Sequence, residues 1–313
     1  MRFLLGLPTD DVAKREEFGS AEAVVEMARA AEALGYEGIY VTDHPAPRKS
    51  YIDAGGHHAL EPSVVLAVAA GATSRLRLMT NLYVLAYRNP FLAAKAIASL
   101  DSLSGGRVIL GTGAGYLEPE FRALGADFAR RNQALDDALD LIKRVFSGEP
   151  VDAVGPGFEA CETVALPLPV QRPHPPIWIG GNSRRALRRA VEKADGWIPM
   201  PAPRGLAKHV RSAPLESVAD LAAALCYARE HAERVGRSAP LALMFAPMLP
   251  GYAEPGFDAD AYVAASAGLA ELGVGYAGVS FAYPGRSAIA SRARFLELAE
   301  GFARDVVERC RAL

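Results

Sequence analysis

Apolar runs of three to six residues alternate with longer stretches in which apolar side chains recur every three or four positions, and the alternation persists along the chain. The first pattern reads as a buried strand and the second as an amphipathic helix, so the chain predicts strand–helix units around a parallel sheet. The strands fall at 3–7, 38–42, 76–80, 107–110, 177–179, 196–199, 241–245 and 276–281. Between them, Ser20 caps a helix with Val24, Ala28, Ala31 and Leu34 on one face, which Gly35 stops. Pro62 and Pro90 open helices running to about 73 and 103, and Leu135, Ala138, Leu139, Ile142, Val145 and Phe146 share helical spacing. Helices at 184–189 onward, 215–235, 262–272 and 295–310 complete eight units. The expectation is one domain over 1–313, an α/β fold of the (β/α)8 TIM-barrel class. Residues 148–176, rich in Pro and Gly, break the pattern; they are expected to form an irregular excursion before the fifth strand, serving as lid or substrate wall at the barrel mouth.

In such a barrel the active site lies where strands end and helices begin, so the residues after each strand are the candidates. Asp43 and His44 follow the second strand, Asn81 and Leu82 follow Thr80 at the end of the third, and Gly111-Thr112-Gly113-Ala114-Gly115 follows the fourth. Glycines there remove Cβ atoms that would hold a flat ligand or an anion off the backbone; the alternative is a tight turn. Gly180-Gly181-Asn182-Ser183 enters a helix, offering free N–H groups, a hydroxyl and the positive end of a helix dipole to a phosphate, or simply capping that helix. His44 titrates near neutrality and suits proton transfer, against the alternative of a hydrogen bond to loop backbone. Tyr116 occupies the position where a dinucleotide fingerprint needs its third glycine, which excludes that reading. His57 and His58 sit in a Gly55-Gly56 loop without metal-ligand spacing, so no metal is expected.

A net charge of −2 with interspersed signs and a pI near 6.3 removes nucleic acid and anionic lipid as partners, leaving a small molecule. The three cysteines stand far apart, with no CxxC pair. The N-terminus turns polar at Thr9-Asp10-Asp11, short of a signal peptide, and no apolar run reaches membrane-span length. A cytoplasmic protein is expected.

The chain resembles the bacterial-luciferase-like superfamily of flavin- and deazaflavin-dependent oxidoreductases. The resemblance rests on Ala33-Leu34-Gly35-Tyr36-Glu37-Gly38-Ile39-Tyr40-Val41-Thr42-Asp43-His44, on Tyr87-Arg88-Asn89-Pro90 with Ala94-Lys95, and on Leu100-Asp101-Ser102-Leu103-Ser104-Gly105-Gly106-Arg107. It continues through Leu110-Gly111 to Glu120-Phe121, Arg172-Pro173 to Gly180-Gly181, and Asp195-Gly196-Trp197. It implies FMN or the deazaflavin coenzyme F-420 as cofactor, with its phosphate near Gly180-Gly181, and a non-proline cis peptide at or beside Asn81-Leu82. It also implies a catalytic His44 within Thr42-Asp43-His44. Two departures, Arg48 where deazaflavin-dependent dehydrogenases carry a tryptophan and Ala114 where they carry an acid, point away from sugar and alcohol oxidation. The implied function is hydride exchange with, or monooxygenation of, a small organic substrate. A non-catalytic flavin-binding barrel and a flavin-independent barrel enzyme for phosphosugars are the competing readings. Small residues at Ala67, Ala69, Ala70, Ala93, Ala94, Ala96 and Ala98, together with the resemblance, lead us to expect a homodimer.

Overall fold

The structure, a computed structural model, describes residues 1–281 and 289–311. Its strands are β1 (Arg2–Gly6), β2 (Gly38–Val41), β3 (Arg77–Tyr83), β4 (Val108–Thr112), β5 (Val151–Gly155), β6 (Phe158–Thr163), β7 (Ile177–Gly180), β8 (Gly196–Ile198), β9 (Ala242–Leu243) and β10 (Tyr276–Val279). The helices are α1 (Arg15–Phe18), α2 (Ala21–Ala33), α3 (Lys49–Asp53), α4 (Pro62–Ala72), α5 (Pro90–Ser104), α6 (Glu118–Ala123), α7 (Arg131–Ser147), α8 (Arg184–Lys193), α9 (Arg204–His209), α10 (Val218–Val235), α11 (Ala259–Glu271) and α12 (Arg292–Phe302).

Eight parallel strands, in the order β10-β1-β2-β3-β4-β7-β8-β9, form the (β/α)8 barrel that the alternating pattern predicts. The ring closes between β9 and β10 through a Met244–Tyr276 bridge, with Phe245 N donating to Tyr276 O at 2.9 Å and Gly275 N to Leu243 O at 3.2 Å. Helix starts follow the local chemistry expected of them. The side chains of Ser20, Asn89, Ser183 and Ser217 accept from backbone N–H groups of the first turn, and Pro62 and Pro90 open α4 and α5. Several boundaries move: β3 runs three residues past 80, β9 shrinks to two residues, and α10 begins at Val218 because Leu215 pairs with Ala202.

One apolar core lies between strands and helices; a second, inside the barrel, is Leu4, Met79, Ile109, Trp178, Ile198 and Met244, with Tyr40, Leu82, Ala242 and Tyr276 against it. Because side chains alternate along a strand, the next inward positions toward the strand ends are Gly6, Thr42, Gly111, Gly180 and Gly278. A bulky plug thus fills the middle of the barrel, and the small residues above it admit neighbouring side chains, Tyr40 beside Gly6 and Gly278 and Leu82 beside Gly180.

The excursion before the fifth barrel strand differs from expectation in shape and place. It holds an antiparallel hairpin, β5 with β6. It leaves from the C-terminus of α7, and a helix that starts at the mouth ends at the opposite face, so the excursion cannot begin as a lid. Phe158 packs on Phe91 of α5 with ring centroids 5.7 Å apart, and Lys95 Nζ donates to Leu166 O. Gln171 then ties the return to the start of β4, its N donating to Asp101 Oδ2 at 2.9 Å and its side chain to Val108 O at 2.8 Å. The segment clads the outer wall, and the mouth is flanked instead by stretches after β2, β4 and β8.

Candidate active site

His44 stands at the centre of that mouth, 9% exposed. Its Nδ1 lies 3.2 Å from Glu120 Oε2, and the other Glu120 oxygen accepts from Ala46 N at 3.1 Å. Glu120 is buried at 3% exposure because Phe121, its neighbour on the short helix α6, is locked between Tyr87 and Phe128 at 5.1 and 5.2 Å. A carboxylate only accepts hydrogen bonds, so the Nδ1 proton belongs to this contact and Nε2 is left as the acceptor. The Tyr116 hydroxyl donates to Nε2 at 3.3 Å and stands 3.1 Å from the Tyr51 hydroxyl. Burial, reinforced by Tyr51, raises the Tyr116 phenol above its ordinary range, keeping it protonated.

A second pair flanks His44. His57 meets it edge to face, ring centroids 4.8 Å apart, and places Nδ1 3.4 Å from Asp10 Oδ2. Burial pushes the Asp10 carboxyl up to about 6. Burial, with His44 adding to it, pushes His57 down to about 4.

Asp43 does not reach the mouth. Its side chain, 1% exposed, makes a bidentate pair with Arg88 at 2.6 and 2.9 Å, and Oδ2 also accepts from Val84 N at 2.9 Å and the Tyr87 hydroxyl at 3.2 Å. Burial alone would make the guanidinium easier to deprotonate; its hydrogen bonds to Asp43 and that carboxylate's charge outweigh this and raise its pKa. Asp43 therefore holds the segment after β3 in place. That segment contains the cis peptide Asn81–Leu82.

The other sequence candidates separate into two groups. The Thr80 hydroxyl donates to Gly111 O at 2.9 Å and that of Thr112 to Tyr83 O at 2.6 Å, so both are spent joining β3 to β4. A Cβ on Gly111 would lie 2.1 Å from Thr80 O, and one on Gly115 (φ +74°) 2.8 Å from Phe121, so these two glycines serve the neighbouring chain. Gly113 and Gly180 do face the mouth: a Cβ on either would strike Leu82 Cδ1, at 2.8 and 2.2 Å. Gly181 adopts φ +107°, a left-handed conformation that favours glycine, and turns the chain into α8. Asn182 uses its side chain internally, to Met200 O at 2.9 Å and Ala213 O at 3.0 Å, and Ser183 Oγ caps Ala186 N at 3.1 Å. What remains toward solvent is the N-terminal turn of α8. Arg131, Arg185 and Arg211 gather near it, and burial plus the other two cations lowers the Arg131 pKa.

Glu120, Tyr116, Tyr51, His57 and Arg88 were not among the sequence candidates. The available signal was position: Tyr116 and Glu120 follow the glycine loop directly. Among the described residues, no group of three or more His, Cys, Asp or Glu is arranged to hold a metal ion.

Two observations test the fit of a flat, phosphorylated cofactor. The Thr42 hydroxyl, just past β2, is buried without a hydrogen-bond partner, and Gly113 and Gly180 leave to the Leu82 side chain the space that two Cβ atoms would take. An orphaned buried hydroxyl costs about 1–3 kcal/mol until a ligand meets it, and both features suit a polar-edged ring lying over Leu82.

A (β/α)8 barrel with a carboxylate-oriented histidine and glycines at its strand ends has the layout of a barrel enzyme whose site lies at the C-terminal ends of the strands. The chain belongs to the luciferase-like monooxygenase family, whose description matches residues 1–249. It is 30% identical over 201 residues to an uncharacterized protein of Mycobacterium tuberculosis, covering 58% of this chain and 68% of the other. It is 36% identical over 136 residues to the 4-hydroxyprotoasukamycin monooxygenase of Streptomyces nodosus subsp. asukaensis, covering 43% of this chain and 35% of that one. A monooxygenase from Streptomyces bottropensis has the same fold, with TM-score 0.76 and 20% identity over 98% of this chain and 99% of the other. So does the coenzyme F-420-dependent tetrahydromethanopterin reductase of Methanopyrus kandleri, with TM-score 0.70 and 18% identity over 99% and 98%.

Proposed function

We propose that this protein is an oxidoreductase that binds FMN or coenzyme F-420 across the ends of β3, β4 and β7 and acts on a small organic substrate at His44. The observation that carries the reading is the His44–Glu120 pair: a buried imidazole, oriented by a buried carboxylate, with its second nitrogen on the Tyr116 hydroxyl that a substrate would have to join or displace. Gly113, Gly180 and Leu82 would seat the ring, the Thr42 hydroxyl would meet its polar edge, and Gly181 with the first turn of α8 would face the phosphate. When bound, F-420 supplies hydride exchange with the substrate, and reduced FMN supplies activation of dioxygen. In either case Nε2 of His44 gives or takes the substrate's proton, and Glu120 supports the imidazolium formed in passing.

Titrating the purified chain with FMN and with F-420, followed by the fluorescence of each, tests the proposal. Saturable binding of one supports it and selects hydride exchange or oxygenation. Binding of neither refutes it, and turnover of a phosphosugar without either cofactor would favour the flavin-independent alternative.

Assembly and compartment belong to the same proposal. Most of the small residues expected at a dimer contact are buried against their own barrel, among them Ala69, Ala70, Ala93, Ala94 and Ala98. The argument for a homodimer rests instead on Val64 and Leu92, 62% and 71% exposed near the starts of α4 and α5. Light scattering at micromolar concentration should give twice the 33.2 kDa chain mass, and a monomer mass throughout would refute it. Two exposed free thiols, Cys161 and Cys226, suit a reducing cytoplasm. Among the described residues no helix is long and apolar enough to cross a membrane.

A further inference from the structure

The mouth carries more rings than proton transfer at His44 requires. Tyr51 comes from α3, His57 from the loop that follows it, Tyr116 from the loop after β4, and His209 from the end of α9. Tyr51 lies 5.6 Å and Tyr116 5.7 Å from the His44 ring, while His209 reaches over to Tyr51 at 6.3 Å and an interplanar angle of 11°, and to Tyr116 at 6.1 Å. Three segments far apart in sequence thus converge: two of them border the His44 imidazole with rings, and the third sets His209 against those rings. Centroid separations of this size are those at which rings attract one another by stacking or edge-to-face contact.

Two acidic groups touch the cluster. Glu120 touches His44 and Asp10 touches His57. The Arg88 guanidinium is committed to Asp43. A carboxylate or phosphate entering among the rings would meet two acidic groups in a partly buried setting, where Coulomb repulsion is weakly screened.

We propose that Tyr51, His57, Tyr116 and His209 form the substrate subsite and that it takes planar, uncharged aromatic molecules bearing a hydroxyl or carbonyl group. The inference rests on the reading that His44 faces the substrate. The rings supply stacking for the flat body, and the paired Tyr51 and Tyr116 hydroxyls, 3.1 Å apart, meet the polar substituent beside His44 Nε2. An aliphatic molecule of equal size gains no stacking, and an anionic one is repelled.

Isothermal titration calorimetry on the full chain, loaded with whichever cofactor it binds, compares 2-naphthol with 2-naphthoate, decahydro-2-naphthol and glucose 6-phosphate. We expect 2-naphthol to bind about tenfold tighter than each of the others, the scale of one or two ring contacts. His209→Ala, at an exposed site, and Tyr51→Leu should each weaken 2-naphthol by about two- to tenfold while leaving cofactor affinity unchanged. Binding of 2-naphthoate, decahydro-2-naphthol or glucose 6-phosphate as tight as 2-naphthol, no binding of 2-naphthol, or wild-type affinity in both variants would overturn the proposal. If neither cofactor binds, the cofactor reading fails by itself, and the same comparison on the cofactor-free chain still decides this one.

Discussion

Replacing Arg88 by Met isolates the contribution of the buried pair that anchors the segment after β3. The substitution keeps an apolar stem over the Tyr83 ring, where the guanidinium carbon now sits 3.8 Å from the centroid, and removes both hydrogen bonds to Asp43. At 2.6 Å and an effective dielectric of 20 the gross attraction is ~6 kcal/mol, much of it offset by the desolvation of both groups. The cost of breaking the pair is set by what is left behind: a carboxylate 1% exposed, with Val84 N and the Tyr87 hydroxyl still on Oδ2 and Oδ1 stripped of its guanidinium partner. An uncompensated buried charge of this kind costs about 3–5 kcal/mol. Asp43→Asn should cost less, about 1–3 kcal/mol, since Arg88 is 15% exposed and retains Val84 O at 3.1 Å and Glu61 at 3.6 Å. The double variant removes both charges and should fall short of the sum of the singles by at least ~1 kcal/mol. Urea unfolding at pH 7, with the slope against urea unchanged, measures all three differences. A loss below ~1 kcal/mol in Arg88→Met, or strictly additive singles, would show that Asp43 is not held by this pair.

Three further outcomes follow from the site. In single-turnover reactions of the bound cofactor, His44→Ala should lose ~10²–10⁴ in rate, with Glu120→Gln between it and wild type and cofactor affinity within a few-fold in both; an unimpaired His44→Ala would reduce the residue to a structural role. Gly181→Leu forces a side chain onto φ +107° and should weaken cofactor affinity at least about tenfold in a folded protein, as fluorescence titration would show; unchanged affinity would move the phosphate elsewhere. Between pH 4 and 6 the raised Asp10 makes stability fall as pH rises and the depressed His57 makes it rise, so their contributions oppose each other. Asp10→Asn should therefore lose up to ~3 kcal/mol as pH drops from 6.5 to 4, relative to wild type; parallel urea-unfolding profiles would refute the coupling.

The barrel was legible because strand and helix periodicities differ and most barrel helices start on a cap or a proline, α7 being the exception. The hairpin was not, since Gly155, Pro156 and Gly157 read as loop punctuation and its exposed edges lack a clean apolar alternation. The cis peptide fell within the expected position at Asn81–Leu82, which the resemblance supplied and periodicity could not. His44 was readable as the residue after a strand, while Glu120 looked no different from solvent-facing Glu118 on the same short helix until Phe121 fixed which way that helix turns. Asp43 shows the reverse: its position suggested the site, and only a partner 45 residues away reveals that its carboxylate is already taken.

The thin joint at β9 has a use. Among the described residues its seam with β10 shows a bridge and the two hydrogen bonds beside it, whereas β1 runs in register with both neighbours over several residues. Amide deuteration should therefore enter at Phe245 and Gly275, the donors across that seam, well before Leu5 or Ile39, which open only with the whole domain. A ligand that merely binds the folded chain slows the second pair of amides; one that draws the strand ends together slows the first. A single exchange time course would thus distinguish a molecule resting on the mouth from one that tightens the barrel around itself.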